Sequence, residues 1–427
     1  MTIWKLDASE QQDLLDRFLR YVAVDTRSDD NAECFPSTEK QKDLARILVA
    51  ELEALGCAGA AMDEWGYVTA RVPANLPAGH PAFGKVPVVG FLAHLDTYHA
   101  TPGANVKPRI IRGYEGGDLV LGAGETLVAD HNPTLAQCLG HTLVTTDGTT
   151  LLGADDKAGI AEILTLLAWL RRNPDFLHGE LRIGFTPDEE VGRGTEHFDV
   201  AAFGAQYAYT LDGSVLGEVE DETFCADTAI FTITGHDVHP GYAKGVMVNA
   251  VRVAAKLVEL LPPDSLPETT EDRQPYLHPF SLTGDVTRAE LKLLVRAFTE
   301  EELEGREEIL RKLQRDAEGS FPGVSIQLEI KESYRNMIYR IAEDPKVLDY
   351  ALEAVTRQGI TPIRRAIRGG TDGARLSYMG LPTPNIFAGG QSFHSVQEWV
   401  SLEWMAAAVE VCVQLLGVWV EKSGKEA

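Results

Sequence analysis

The segment of residues 151–159 reads LLGADDKAG and decides how the rest of the chain is arranged. It places two adjacent carboxylates, Asp155 and Asp156, between an apolar run and the start of a predicted helix. Neighbouring aspartates repel each other and are costly to desolvate. A bound cation reverses that cost, because carboxylate oxygens are hard ligands that stay ionised beside a metal. We therefore interpret Asp155 as a carboxylate that bridges two metal ions. The alternative is a helix N-terminus, where aspartate stabilises the helix dipole.

The composition limits the class of protein. The chain has 427 residues, with 39 basic and 64 acidic side chains and a formal net charge of −25. A chain of this length is too long for one core, so we expect two domains. The hydrophobic content of 44% is that of an ordinary soluble globular protein. The acidic balance argues against nucleic acid or an anionic membrane as a partner, because both require a basic face.

The N-terminus and the cysteines indicate the compartment. The first seven residues contain no basic segment followed by an apolar one, so no signal peptide is expected. No apolar run approaches the roughly 20 residues of a membrane span. The five cysteines are an odd number and form no C-x-x-C pair, which favours free thiols in a reducing compartment. We expect a cytoplasmic protein, either a monomer or a homodimer.

Strands alternate with helices in the first half of the chain. Residues 86–95 are nearly continuously apolar, as in a strand that is covered on both faces. Further strands are predicted over residues 181–185 and 207–211. Each predicted strand is followed by a polar cluster. Because open α/β sheets bind ligands at the carboxyl ends of their strands, we expect these clusters to share one site.

Apolar spacing and capping residues predict the helices. Residues 10–23 carry leucine and phenylalanine at helical spacing, and Thr38 with Gln41 predicts a capping box that opens a second helix. More helices are predicted after Asp156 and over residues 345–358 and 401–420.

The pattern changes near residue 223. The order β-α-β-β-α-β that follows matches a ferredoxin-like unit. We therefore expect an α/β fold in which residues 1–222 and 335–427 form a catalytic domain with a central mixed sheet covered by helices. Residues 223–334 would form an inserted ferredoxin-like lid domain that binds substrate and closes over it.

Two of the polar clusters divide naturally into a ligand and a partner. Residues i and i+2 of a strand point the same way, so His94 can ligate a metal while Asp96 supports it. The alternative is a surface histidine with a helix-capping aspartate. Glu189 and Glu190 point in different directions, so one can ligate while the other faces the substrate as a base. The alternative is a solvated acidic turn.

The shared location of the candidate ligands supports a metal site more strongly than any one of them does. Asp212 alone could mark a plain turn, and His394 alone could be a loop histidine. All five candidate ligands follow predicted strands or lie beside the same predicted sheet edge. They are His94, Asp155, Glu190, Asp212 and His394. Nitrogen and oxygen ligands without thiolates suit Zn²⁺, Co²⁺ or Mn²⁺. Two such ions can activate water and polarise a carbonyl, which predicts a hydrolase for an amide or related bond.

Seven motifs run through nearly the whole chain in a recognisable order. They are HLDT at 94–97, TTDG at 145–148, LLGADDKAGIAE at 151–162, FTPDEEVG at 185–192, VHPG at 238–241, KGVMVNA at 244–250 and IRGGTDGA at 367–374. In this pattern the chain resembles the peptidase T group of bacterial tripeptide aminopeptidases. That group belongs to the co-catalytic metallopeptidases, which also include carboxypeptidase G-type enzymes and aminoacylases.

The resemblance implies a role for each matching position. Asp155 would bridge two divalent ions, most simply Zn²⁺, with Co²⁺ or Mn²⁺ as alternatives, and would be followed by a cis peptide bond to Asp156. Glu189 would be the general base and Asp96 the catalytic support. The remaining metal ligands would be His94, Glu190, Asp212 and His394.

Three residues outside the metal set resemble substrate contacts of the family. His239 would reach the substrate carbonyl, and its alternative is a turn histidine. Arg296 and Arg368 would contact carboxylate or carbonyl oxygens, for which the fixed fork of guanidinium donors is suited. The alternative for both arginines is a surface salt bridge.

Two loops depart from the family pattern. Residues 389–395 read GGQSFHS, where tyrosines and a following glycine are expected, and Ser214-Val215 follows Asp212-Gly213 in place of more glycine. Such loops shape the pocket around the substrate, so the peptide preference stays open.

The implied function is a metal-dependent aminopeptidase that releases the N-terminal residue from tripeptides in peptide catabolism. The alternatives of the same architecture are a dipeptidase, a carboxypeptidase and an N-acyl-amino-acid deacylase. A non-catalytic peptide-binding protein is the alternative from another class.

Overall fold

The computed structural model describes residues 3–425. The chain forms two compact units. The first unit contains Met1–Asp221, Tyr339–Arg365 and Thr371–Ala427, and the second contains Glu222–Ile338 and Ala366–Gly370.

The helices and strands of the described residues are numbered in chain order. The helices are α1 (Ala8–Val22), α2 (Gln41–Ala54), α3 (Ala154–Arg172), α4 (Val200–Phe203), α5 (Ala250–Glu259), α6 (Glu300–Ser320), α7 (Ile338–Ile341), α8 (Lys346–Arg357), α9 (Asp372–Tyr378) and α10 (Leu402–Lys425). The strands are β1 (Ala58–Met62), β2 (Val68–Val72), β3 (Val89–His94), β4 (Arg109–Ile111), β5 (Leu119–Gly122), β6 (Glu125–Leu127), β7 (Leu143–Thr145), β8 (Leu181–Thr186), β9 (Tyr207–Gly213), β10 (Glu218–Glu222), β11 (Cys225–Thr234), β12 (Tyr276–Gly284), β13 (Arg288–Ala297), β14 (Ser325–Tyr334), β15 (Ile363–Ala366), β16 (Asn385–Phe387), β17 (Gly390–Gln391) and β18 (Trp399–Ser401).

The first unit is built on a mixed eight-stranded sheet with the order β1-β2-β8-β3-β9-β16-β10-β15. Strands β8, β3, β9 and β16 are neighbours and run parallel. Every residue of β3 is buried, which explains its continuous apolar sequence. Because the central strands are parallel, their carboxyl ends lie side by side at one edge of the sheet. The α/β fold class is confirmed.

Helix α3 is the core helix of the first unit. It is buried along nearly its whole length and packs on α1, α10, β3 and β9. Helix α10 is long and apolar enough to cross a membrane by length and composition alone, so the expectation that no segment approaches such a span is wrong in that respect. However, 83% of its most apolar window is buried inside the protein, as in a core helix.

The predicted capping box before α2 is wrong. Helix α2 begins at Gln41, and its N-cap residue Lys40 makes no side-chain cap hydrogen bond. The Thr38 hydroxyl donates instead to the carbonyl of Arg27, at 2.8 Å. Gln41 Oε1 accepts a hydrogen bond from Asp188 N at 3.1 Å, so a distant loop takes the acceptor that a local cap would use.

The second unit has the predicted β-α-β-β-α-β order. Its antiparallel sheet has the order β12-β13-β11-β14. Strand β11 pairs with β13 through a continuous ladder of ten residue pairs. Helices α5 and α6 pack on this sheet and on each other. Alternate residues of β13 are buried, which gives the sheet one apolar face under the two helices.

The second unit extends beyond the predicted inserted domain of residues 223–334. It contains Glu222–Ile338, and also residues 366–370, which the sequence predicts as part of the catalytic domain. The reason is Arg368, whose guanidinium donates to the carbonyl oxygens of Asp272 at 2.7 Å and Gln274 at 3.1 Å. It also lies 5.5 Å from the ring centroids of Phe224 and Tyr276. These contacts hold the segment against the second unit.

Replacing Gly159 with alanine should destabilise the first unit. A Cβ atom there would collide with the carbonyl oxygen of Leu211 in β9 and lie 2.5 Å from Asp156 Oδ1. Overpacking of this kind costs about 1–3 kcal/mol. Gly417 in α10 is the matched control, because its nearest heavy atom, from Phe176, would be 3.9 Å away. Alanine at that position should stabilise by up to about 1 kcal/mol. Urea unfolding measures both, and a Gly159→Ala protein as stable as the wild type would contradict this packing.

Candidate metal centre

Three adjacent parallel strands position four of the predicted site residues. His94 is the last residue of β3, Asp212 lies near the end of β9, and Glu189 and Glu190 follow β8. His94 is in register with Thr186 at the end of β8. The predicted site residues of these strands therefore meet at one edge because the strands are neighbours.

The turn that opens α3 brings Asp155 to the same edge. Gly153 has a φ of +80°, a conformation that glycine adopts without strain, and it precedes the helix. The peptide bond between Asp155 and Asp156 is cis, as the resemblance predicts. Asp156 Oδ2 accepts a hydrogen bond from His94 N at 3.1 Å, and Oδ1 accepts one from Gly159 N at 3.3 Å. These bonds fix the turn to the end of β3.

Asp155 lies between two imidazoles. Its Oδ1 is 2.7 Å from His94 Nε2, and its Oδ2 is 3.3 Å from His394 Nε2. His94 Nε2 is also 3.7 Å from Asp212 Oδ1, and His394 Nε2 is 2.9 Å from Glu190 Oε2. The structure thus brings together all five predicted ligands, with one imidazole and one further carboxylate on each side of Asp155.

The donor set fits divalent cations. Ligand atoms of His94, Asp155 and Glu190 lie within 4.8 Å of one another, and so do those of His94, Asp156 and Asp212. Asp156 is a candidate ligand that sequence reasoning did not select. Glu190 Oε1 is buried and has no hydrogen-bond partner among the described residues, which leaves it available to an ion. Oxygen and imidazole nitrogen atoms without a thiolate suit Zn²⁺, Co²⁺ or Mn²⁺.

The carboxylates of the cluster create a negative electrostatic potential that favours positively charged groups. Burial, with the nearby carboxylate of Asp155, raises the pKa of Glu190 to about 7. Burial lowers the pKa of His394, but Asp155 and Glu190 raise it more strongly, to about 11. The pKa of His94 is likewise raised well above its ordinary value, because Asp155 and Asp96 outweigh the effect of burial. The carboxylates that raise the pKa of both imidazoles would equally favour a bound cation.

Asp96 supports two parts of the site at once. It is fully buried, and its carboxylate accepts hydrogen bonds from the backbone N–H groups of Glu189 at 3.0 Å and Glu190 at 3.2 Å. His94 Nδ1 lies 3.0 Å from the Asp96 carbonyl oxygen and 3.4 Å from its Oδ1. Asp96 therefore orients the His94 ring and the glutamate turn, as a supporting residue should.

A second network, which sequence reasoning missed, holds the glutamate turn from the other side. Asp188 is buried with a φ of +59°, and its Oδ2 accepts from Ser37 N at 2.6 Å. Its Oδ1 accepts from the Gln41 side chain at 2.6 Å, while its own N–H donates to Gln41 Oε1 at 3.1 Å. Asp188 lies inside the FTPDEEVG motif, but nothing local in the sequence identifies Ser37 and Gln41 as its partners.

His394 is oriented by two neighbours that sequence reasoning also missed. The ring of Tyr98 stacks on its imidazole with centroids 4.0 Å apart and planes 4° apart. The Thr101 hydroxyl donates to the His394 carbonyl oxygen at 2.6 Å. His394 itself has a φ of +62°. Both neighbours come from the loop that follows the HLDT motif.

The three predicted substrate contacts lie in the second unit. His239 is exposed, and its Nδ1 accepts a hydrogen bond from Gly241 N at 3.1 Å. Arg296 donates to the carbonyl oxygens of Asp227 and Val295, both at 3.0 Å. Arg368 donates to the loop carbonyls described above. The structure therefore shows both arginines bound to backbone carbonyls, and their substrate roles stay predictions.

The chain is similar in sequence to known proteins. Residues 141–417 match the model of Peptidase family M20/M25/M40. Peptidase T of Geobacillus kaustophilus (strain HTA426) is 46% identical over 415 residues, which cover 97% of this chain and 100% of that protein.

Two solved structures share the fold. Aminopeptidase PepT from Bacillus cereus ATCC 10987 has a TM-score of 0.73 at 23% identity, covering 96% of this chain and 99% of that one. The YXEP protein of Bacillus subtilis, described as a dinuclear metal binding peptidase from the M20 family, has a TM-score of 0.63 at 14% identity, covering 97% and 99%. The family model spans more than half of the chain and the relative nearly all of it, so the chain belongs to Peptidase family M20/M25/M40.

Proposed function

We propose that this protein is a metal-dependent aminopeptidase that releases the N-terminal residue from tripeptides. The observation that carries the proposal is the position of Asp155, with His94 on one carboxylate oxygen and His394 on the other. The similarity to Peptidase T over 97% of the chain supports the tripeptide specificity. A cytoplasmic location, with a monomer or homodimer, stays a prediction.

The residues that would hold two divalent cations are those of the cluster. Asp155 would be shared, with His94 and Asp212 on one side and His394 and Glu190 on the other. We propose Zn²⁺, with Co²⁺ or Mn²⁺ as alternatives, on the basis of the nitrogen and oxygen donors. When bound, such a pair of ions supplies acidified water and a Lewis acid for the scissile carbonyl.

Glu189 is suited to move the proton. Its backbone N–H is bound to Asp96, and its neighbour Glu190 is directed at His394, so the two carboxylates of the turn are assigned different tasks. Burial raises the pKa of Glu189 well above its ordinary value, which suits a group that must carry a proton. A carboxylate oxygen of Glu189 accepts a proton from the attacking water and later donates it to the nitrogen of the leaving amine.

His239 is proposed to bind the substrate carbonyl. Because its Nδ1 accepts the Gly241 N–H, the ring proton of the neutral imidazole lies on Nε2, which is then a donor. A peptide carbonyl oxygen is an acceptor that matches this tautomer. Arg296 and Arg368 are proposed to contact carboxylate or carbonyl oxygens of the peptide through donors that their backbone contacts leave available.

The Glu189→Gln variant should lose about 10²–10⁴-fold in kcat, because the general base is removed while the metal ligands stay in place. Its metal content, measured by elemental analysis, should stay near that of the wild type. Glu190→Gln is the matched control on the same turn, and it should lose metal together with activity. Loss of metal in Glu189→Gln and its retention in Glu190→Gln would show that the two roles are reversed.

A panel of peptides separates the alternative hydrolases. Tripeptides with a free N-terminal amine should be cleaved with a higher kcat/KM than dipeptides or N-acetylated tripeptides of the same sequence. Chromatography of the products detects the released N-terminal residue and so identifies the bond that is cut. Preferential hydrolysis of N-blocked substrates would assign a deacylase, and release of the C-terminal residue would assign a carboxypeptidase. Binding without turnover would assign a peptide-binding protein.

Addition of Zn²⁺ to chelator-treated protein should raise its free energy of unfolding. A ligand that binds only the folded state at 1,000 times its Kd adds about 4 kcal/mol. The Asp155→Asn variant should lose most of this increase. The control is Asp43→Asn, because Asp43 is exposed and paired with Arg46 on the surface of α2. An undiminished increase in Asp155→Asn would contradict the assignment of the shared ligand.

A further inference from the structure

Glu398 makes an unusual set of hydrogen bonds four residues beyond His394. Its side chain is 1% exposed. Oε2 accepts the backbone N–H groups of Leu152 at 2.7 Å and Gly153 at 2.8 Å, and Oε1 accepts that of Asp155 at 3.1 Å. One carboxylate therefore binds three amides of the turn that carries Asp155.

The Asp155 amide lies in the first turn of α3, and the amides of Leu152 and Gly153 lie in the two residues just before the helix. The first N–H groups of a helix have no partner within the helix, and a buried N–H without a partner costs about 1–3 kcal/mol. Hydrogen bonds to a carboxylate are about twice as strong as neutral ones, so Glu398 both satisfies and fixes this turn. The bond to the Asp155 N–H acts on the residue that lies between His94 and His394.

Glu398 is also firmly connected to His394. Its N–H donates to the carbonyl oxygen of Ser395 at 3.3 Å. The Ser395 hydroxyl donates to the carbonyl oxygen of Ser392 at 2.7 Å and accepts from Gln397 N at 3.1 Å. The segment from 392 to 398 is thus bonded within itself, so the position of Glu398 is coupled to that of His394.

We propose that Glu398 is a positioning residue for the metal pair. It fixes the turn of Asp155 to the loop of His394, so that both ligands are in place before a cation arrives. The proposal rests on the metal site of the proposed function and assigns a role to a residue that touches neither metal nor substrate. Loss of such a supporting bond typically weakens metal binding by 10–100-fold.

The Glu398→Gln variant isolates this role from a general contribution to folding. The amide oxygen of glutamine can keep the two bonds to Leu152 and Gly153. The NH₂ group then faces the Asp155 N–H, where two donors oppose each other. The variant therefore keeps most of the anchoring of α3 and selectively disturbs Asp155.

Glu403→Gln is the matched control. Glu403 is another carboxylate that binds a backbone amide, accepting Thr142 N–H at 3.0 Å on Oε1 and 2.9 Å on Oε2. It lies in the first turn of α10, and its polar side-chain contacts among the described residues are to Thr142, Ser401 and His141, none of which belongs to the metal cluster. A purely structural effect of removing a carboxylate from a backbone amide should therefore appear equally in both variants.

The experiment uses the full-length protein after removal of metal with a chelator. Zn²⁺ affinity is measured by competition with a chromophoric chelator, the Co²⁺ form is examined by its visible absorption spectrum, and metal-free unfolding is followed by circular dichroism. We expect Glu398→Gln to bind Zn²⁺ about 10–100-fold more weakly, with an altered Co²⁺ spectrum. We expect Glu403→Gln to change Zn²⁺ affinity by less than threefold and to keep the wild-type spectrum.

The outcomes separate this inference from the proposed function. Wild-type Zn²⁺ affinity and Co²⁺ spectrum in Glu398→Gln, or equal weakening in both variants, would overturn the positioning role. Failure of the wild type to bind two ions would instead overturn the metal site. If Glu398→Gln does not fold without metal, Glu398→Asp is measured in its place. It keeps the charge but is too short to reach all three amides, so at least threefold weaker binding is expected, and unchanged binding would overturn the proposal.

Discussion

The first unit depends on the neutralisation of buried acidic side chains at the carboxyl edge of its sheet. Asp155, Asp156, Glu190 and Asp212 meet there because β3, β8 and β9 are adjacent and parallel and because α3 begins at the same edge. Carboxylates in this arrangement repel one another and lose hydration, and a buried charge without a partner is strongly destabilising. Two imidazoles lie among them at 2.7–3.7 Å, and the remaining negative charge is what divalent cations would balance.

The carboxylates that hold the cluster in place bind the backbone of one another's turns. Asp96, after β3, accepts the amides of the glutamate turn after β8. Asp156, at the start of α3, accepts the amide of His94 at the end of β3. Glu398, before β18, accepts the amide of Asp155. Three segments that carry candidate ligands are therefore fixed by a carboxylate from another part of the chain, an arrangement that would hold the donors in place for a cation.

Local patterns predict much of this architecture from the sequence. Apolar runs and alternation place the strands, and polar residues after strands place the candidate ligands, because parallel neighbours share one edge. What the sequence does not reveal depends on distant contacts. Gln41 turns away from a local cap to bind Asp188, 147 residues away. Arg368 draws residues 366–370 to a loop 96 residues earlier. Glu398 binds amides 243–246 residues before it. Such hydrogen bonds carry no local periodicity, so only the folded chain shows them.

Anomalous X-ray diffraction from crystals of the Zn²⁺-loaded protein locates the bound ions. If Asp155 is shared, there should be two anomalous peaks, one on each side of its carboxylate. One peak should lie about 2.0–2.2 Å from ligand atoms of His94 and Asp212, and the other at a similar distance from those of His394 and Glu190. A single peak, or peaks that Asp155 does not join, would contradict the shared-carboxylate site.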